Sequence, residues 1–236
     1  MQVVSEWGLS GVNALIDRAD AFVVVDVLSF STCVDVACSN GAQVFPFPIH
    51  DRAAARDEAV RRNAELAGKR SDKTARFSLS APTLQDIPEG TRLVLPSPNG
   101  SHISFAAKEK TVLAGCLRNA NAVAKAAMNI VGRGTLAVVP AGERWSDGSL
   151  RPAIEDLIGA GAIISALSGT LSPEAIVARD AFHSARPDLL KRLMGSVSGI
   201  ELCERGFPQD VEIAASLNVS DCAPILRDGA YLRATF

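Results

Sequence analysis

Apolar positions along the chain gather in short dense runs, and longer amphipathic stretches separate them. Ala21–Val27 (AFVVVDV) is the clearest run. It is β-branched, continuous and apolar on both faces, the pattern of a strand covered by helices on each side of its sheet. Asp26 stands at its C-terminal end, where α/β sheets place their ligands. Ala42–Phe47, Thr91–Leu95, Thr111–Ala114 and Thr135–Val139 share this character and are predicted strands. The stretches between them predict helices. Asp51–Ala67 is rich in Ala, Arg and Glu and is stopped by Gly68. Ser101–Glu109 follows a loop at Pro96–Gly100, and Asn119–Val131 has Asn119 as its N-cap and Gly132 as its stop. Pro152–Leu167 is mostly apolar, with Glu155 and Asp156 in its first turn. Ser172 and Pro173 read as the N-cap and first position of a helix to about Ser184. Asp188–Met194 and Phe207–Ala215 complete the set. Lys69–Glu89, polar and carrying Pro82 and Pro88, reads as a long loop.

Alternation of strand and helix predicts a three-layer α/β/α sandwich. Its length of 236 residues suits one domain, and 47% apolar residues with a mean hydropathy of +0.17 supply its core. Charge narrows the function. The net charge is −2, with both signs interspersed, so no basic stripe marks a nucleic-acid partner. No apolar run reaches the roughly 18 residues a membrane span needs. The first twenty residues carry Glu6, Asp17 and Asp20, unlike a secretory leader. Cys33, Cys38, Cys116, Cys203 and Cys222 are odd in number and form no C-x-x-C pair, which predicts reduced thiols in a cytoplasmic protein.

Polar residues at four strand ends break the pattern of a purely structural sheet. Asp26 is followed by the hydroxyls Ser31 and Thr32. Ser97-Pro-Asn99-Gly100-Ser101 is a turn opening a helix, whose free N–H groups suit an anion. Gly115-Cys-Leu-Arg118-Asn119 places an arginine where it could clamp an oxyanion. Pro140-Ala-Gly142 precedes Glu155-Asp156, acids at the entrance of an apolar helix, where a hard divalent cation is one suitable partner. Each has a structural alternative: a cap at Ser31, an ordinary turn, a surface arginine, acids serving the helix dipole. In a mainly parallel sheet all four would share the carboxyl edge. His50, His102 and His183 are scattered, with His102 next to the Asn99 turn. Gly159-Ala-Gly161 lies inside an apolar helix, which favours close helix packing over a nucleotide site.

These stretches together resemble the 2-phosphosulfolactate phosphatases of the coenzyme M pathway. The family's D-V-L-R-x-[ST]-[ST]-T is similar to Asp26-Val-Leu-Ser29-Phe-Ser-Thr32, and its T-x-N-G-[TS] to Ser97-Pro-Asn99-Gly100-Ser101. Its S-x-x-N-A-x-A-V-A resembles Cys116 to Ala124, and its A-G with a later E-D-x-x-x-A-G resembles Ala141-Gly142 with Glu155 to Gly161. A late S-x-x-G-x-x-L-x-x-x-G-x-x-x-D resembles Ser196 to Asp210. The likeness implies an α/β/α sandwich with a mixed, largely parallel sheet, a homodimer, and Mg²⁺-dependent hydrolysis of a small anionic phosphate ester. Asp26, Glu155, Asp156 and Asp210 become the metal-ligand candidates. Arg118 joins Asp26, Glu155 and Asp156 as a catalytic candidate. Ser31, Thr32, Asn99, Gly100, Ser101, Asn119 and Gly142 become the substrate contacts. Three departures stand out: Ser29 replaces the family arginine, G-E-R reads Gly68-Lys69-Arg70, and G-N-S-P reads Leu79-Ser80-Ala81-Pro82. They leave open a different phosphate ester, or an inactive relative that binds a small anion in a regulatory or scaffold role.

Overall fold

The computed structural model describes residues 1–48, 52–72 and 74–234. In chain order the elements are β1 (Gln2–Ser5), α1 (Gly8–Leu15), β2 (Ala21–Val25), α2 (Phe30–Ser39), β3 (Gln43–Pro48), α3 (Arg52–Arg62), β4 (Glu65–Leu66), β5 (Arg92–Ser97), α4 (Gly100–Ala106), β6 (Thr111–Gly115) and α5 (Ala120–Val131). There follow β7 (Thr135–Pro140), β8 (Glu143–Arg144), β9 (Leu150–Arg151), α6 (Ile154–Ser165), β10 (Thr170–Leu171), α7 (Pro173–Ala185), α8 (Leu189–Met194), α9 (Val197–Glu204), α10 (Pro208–Ala214), β11 (Pro224–Arg227) and β12 (Ala230–Arg233).

Among the described residues the main sheet has ten strands in the order β10-β1-β7-β2-β6-β11-β12-β3-β5-β4. Strands β10, β1, β7, β2 and β6 pair in parallel, as do β3, β5 and β4. The β11–β12 hairpin is antiparallel to its neighbours β6 and β3 and joins the two blocks. The sheet is therefore mixed and mostly parallel.

Alternation along β2 shows why helices cover both faces. Its side chains point to opposite sides in turn. Val23 and Val25 enter a core with Val123, Ile163 and Ala178 from α5, α6 and α7. Phe22 and Val24 enter a second core with Val12, Val34 and Ile103 from α1, α2 and α4. All five β2 residues are buried. The result is a three-layer α/β/α sandwich. Gly161 lets α6 and α7 touch: a Cβ there would sit 2.0 Å from the Ala178 carbonyl oxygen. Ser172 caps α7 as expected, its hydroxyl accepting from the Ala175 N–H at 3.2 Å.

Two predicted segments differ. The helix expected over Asp51–Ala67 ends at Arg62, because Asn63 takes a left-handed φ of 47°. Glu65 and Leu66 then pair with Leu93 and Val94 as an edge strand. Asp51 and His50 lie outside the described residues. The segment Lys69–Glu89 is not a bare polar loop. Phe77, Leu84 and Ile87 are buried in the second core, Ala81–Leu84 forms a 3-10 turn, and Gly68 bridges to Ser78.

Candidate active site

The segments after β2, β5 and β7 meet around Asp26. Its carboxylate faces two helix N-termini. Oδ1 accepts from the Phe30 N–H that opens α2, and Oδ2 from the Gly100 N–H that opens α4, both at 3.0 Å. Only glycine allows the second approach, since a Cβ at Gly100 would lie 2.2 Å from the Phe30 ring and 2.9 Å from Asp26 Oδ2. Burial pushes the Asp26 carboxyl up to about 6, although both N–H groups oppose the rise; Glu155 adds to it and Arg70 resists it.

Asp156, in the first turn of α6, ties two strand ends together. Its Oδ1 accepts from the Val27 N–H at 2.7 Å and its Oδ2 from the Gly142 N–H at 2.9 Å. Burial, with Asp26 and Glu155 beside it, holds this carboxyl well above the usual range. Glu155 is 2% exposed and has no hydrogen-bond partner among the described residues. Glu143, which the sequence did not single out, completes the cluster. Burial and then Asp26 push it up to about 7, while a 2.8 Å hydrogen bond from Asn99 Nδ2 opposes the shift. It opens onto a cavity of about 240 Å³ with Asn99, His102 and Ser10.

The remaining candidates fall into two groups. Ser31, Thr32, Ser101 and Asn119 are each 0% exposed and bond to the main chain around their own turns. Ser31 Oγ donates to the Val24 carbonyl and accepts from Asp26 N–H, and Thr32 Oγ1 donates to the Val27 carbonyl. Ser101 Oγ donates to the Leu95 carbonyl, while Asn119 Oδ1 accepts from Cys116 N–H. Asn119 thus occupies the cap position of α5 but points back into the turn. Arg118 and Asp210 are brought elsewhere. Arg118 Nε donates to the buried Asp35 at 2.9 Å, and Asp35 also accepts from Ser220 Oγ at 2.6 Å. Arg118→Ala leaves that carboxylate without its cation; a loss of about 3 kcal/mol is expected in urea unfolding, with KM for any phosphate ester little changed.

Asp210 Oδ2 accepts from Ser80 Oγ at 2.8 Å, its Oδ1 accepts from Ala81 N–H at 3.2 Å, and Arg70 lies 3.7 Å away. Among the described residues no three of these acids are placed to hold one metal ion: Asp210 bonds to Ser80 and Ala81 beside Arg70, while Asp26 and Asp156 each accept from two main-chain N–H groups. Arg70, read in the sequence only within the altered Gly68-Lys69-Arg70 motif, is after Glu143 the second such residue. Its Nη2 donates to Ser29 Oγ at 2.9 Å and to the Leu79 carbonyl, and the guanidinium lies over the Phe207 ring. A cation thus stands beside Ser29, where the family arginine is missing. The signal was the arginine kept in Gly68-Lys69-Arg70.

The thiols play no part in this cluster. All five are free, and burial pushes Cys116 up to about 12 and Cys33 well above its ordinary value. His183 lies on α7 at 3.4 Å from Ser165 Oγ. Among the described residues no helix is long and apolar enough to cross a membrane.

An acid with a raised carboxyl binds its proton more tightly folded than unfolded. Its contribution to stability is complete below the ordinary carboxyl range and is lost as pH rises through the folded value. Without divalent cations, Glu143→Gln is therefore expected to gain on the order of 2 kcal/mol relative to wild type between pH 4 and pH 8. Unfolding curves at both pH values check this.

The sandwich and the acids buried after its strands define an α/β protein with a cluster of carboxyl groups around Asp26. Residues 12–229 match the family described as 2-phosphosulpholactate phosphatase, and the chain belongs to that family of phosphoric monoester hydrolases. It is 32% identical to the 2-phosphosulfolactate phosphatase of Methanothermobacter thermautotrophicus, over 88% of this chain and 87% of that protein. It is 31% identical to a probable 2-phosphosulfolactate phosphatase of Carboxydothermus hydrogenoformans, over 86% and 85%. A protein of the same description from Thermus thermophilus is 29% identical over 88% of each.

Proposed function

We propose that the protein is a Mg²⁺-dependent phosphatase that hydrolyses a small anionic phosphate monoester, 2-phosphosulfolactate or a related compound. The observation that carries this reading is the buried cluster of Asp26, Glu143, Glu155 and Asp156, in which burial first and then neighbouring acids raise the carboxyl values of Asp26, Glu143 and Asp156. Such a cluster is relieved by a hard cation. Among the described residues no three acids, cysteines or histidines are arranged to hold a metal ion by themselves. That donor set suits magnesium, which takes one or two carboxylates and fills its shell with water and phosphate oxygens. Asp26 and Glu155 are the residues to hold it. Bound there, the ion would polarise the phosphoryl group and lower the pKa of water.

The chain's own groups account for the rest. The N–H groups of Phe30 and Gly100 fix the Asp26 carboxylate, and Asp156 holds the turns after β2 and β7 in register with it. Arg70 supplies the positive charge for the substrate's anionic groups in place of the residue missing at position 29. Glu143, at about 7 and facing the cavity, holds a proton at its carboxyl for the leaving oxygen. A cytoplasmic homodimer in the coenzyme M pathway belongs to the same reading.

Thermal unfolding with added Mg²⁺ tests the metal. The rise in Tm is expected to be larger at pH 8, where the acids are ionised, than at pH 5. No rise at either pH, together with binding of phosphate esters without turnover, would favour the inactive anion-binding relative that Ser29 suggests.

A further inference from the structure

A second cavity, of about 490 Å³, is walled in part by Arg70. Phe47, Leu66 and Leu79 form its apolar walls, and Lys69, Arg70 and Arg205 supply its polar ones. No acidic side chain lines it among the described residues. Arg70 belongs both here and to the surroundings of the acid cluster: it walls this cavity, its Nη2 reaches Ser29 Oγ at 2.9 Å, and its charge is felt at Asp26. Its Nε is a buried donor with no acceptor. The cavity is also about twice the volume of the one beside Glu143. A compact ester carrying only charged groups would leave the Phe47, Leu66 and Leu79 surface exposed to water, and that surface gains most from an apolar occupant.

We propose that this cavity seats the organic body of the substrate. The ligand class is the phosphate ester of a hydroxy acid bearing an apolar group about the size of a phenyl ring. The apolar group rests against Leu66 and Leu79, the acid meets Lys69 and Arg205, and the phosphate extends past Arg70 towards Asp26. This assignment rests on the phosphatase reading for the phosphate end and on the cavity alone for the apolar end.

Calorimetric titration of the intact chain with 3-phenyllactate and with lactate separates the two. The phenyl acid is expected to bind at least about tenfold tighter; Leu66→Asp should erase most of that preference, and Arg205→Glu should weaken the binding of both acids. Leu79→Ala is the milder substitute if Leu66→Asp does not fold by circular dichroism. Equal binding of the two acids, binding of neither, a preference that survives the leucine substitution, or binding of both acids unchanged by Arg205→Glu would overturn the assignment. Phosphate release from 2-phospho-3-phenyllactate is read separately. A phenyl preference without release from this ester or from 2-phosphosulfolactate keeps the cavity and rejects the phosphatase reading; release without a phenyl preference does the reverse.

Discussion

Asp26→Asn is expected to lower the rate of phosphate release by about 10³-fold while the protein stays folded. The reasons are local. Both oxygens of Asp26 accept hydrogen bonds, from Phe30 N–H and Gly100 N–H at 3.0 Å. An amide of the same shape must turn its NH₂ group towards one of them, so a donor faces a donor at the point where α2 and α4 converge. The substitution also removes the charge that Asp26 offers to a cation. Stability should change little, because two opposing effects meet. The unsatisfied N–H costs about 1–3 kcal/mol, and loss of a buried charge repelled by Glu155 offsets part of it. Activity within tenfold of wild type, in a protein with normal circular dichroism, would contradict a role for Asp26 in the reaction.

Asp156→Ala should instead act mainly on the fold. A loss of about 3 kcal/mol or more is expected, because the Val27 and Gly142 N–H groups both lose their acceptor inside the protein. Asp156 is 3% exposed, so water does not readily take its place. The measurement is the urea midpoint at constant m-value, where a shift worth less than about 1 kcal/mol would mean that the turns after β2 and β7 hold without it. The contrast between the two aspartates is informative. Both are buried acids, yet Asp26 follows β2 and faces two helix starts beside Glu155 and Arg70, while Asp156 stands in the first turn of α6 and binds two loops.

The five long strands were legible because each is a short apolar run bounded by turn residues, and in each the ends agree with the structure to within two residues. Asn63 hid the end of α3, since nothing in Ala, Arg and Glu spacing announces a left-handed residue followed by a two-residue edge strand. Phe77, Leu84 and Ile87 are too widely spaced to read as an element, so a packed segment passed for a polar loop. At the site, Asp26, Asp156, Gly100 and Gly142 were visible as polar or glycine positions at strand ends, and hydrogen bonds join all four to one edge. Arg118 was equally visible and belongs to Asp35 instead; a strand-end position does not tell which way a long side chain turns. Glu143 was missed because its importance comes from a neighbour distant in the chain, Asn99; Arg70 was read only within the altered Gly68-Lys69-Arg70 motif, because its contact with Ser29 is equally distant.

The initial rate of phosphate release from 2-phosphosulfolactate, measured with Mg²⁺ and again after chelation with EDTA, tests the proposed function most directly. Release with Mg²⁺, loss on chelation and recovery when Mg²⁺ is restored are the expected results. A folded protein that releases no phosphate from this ester or its close analogues under any of these conditions would contradict it.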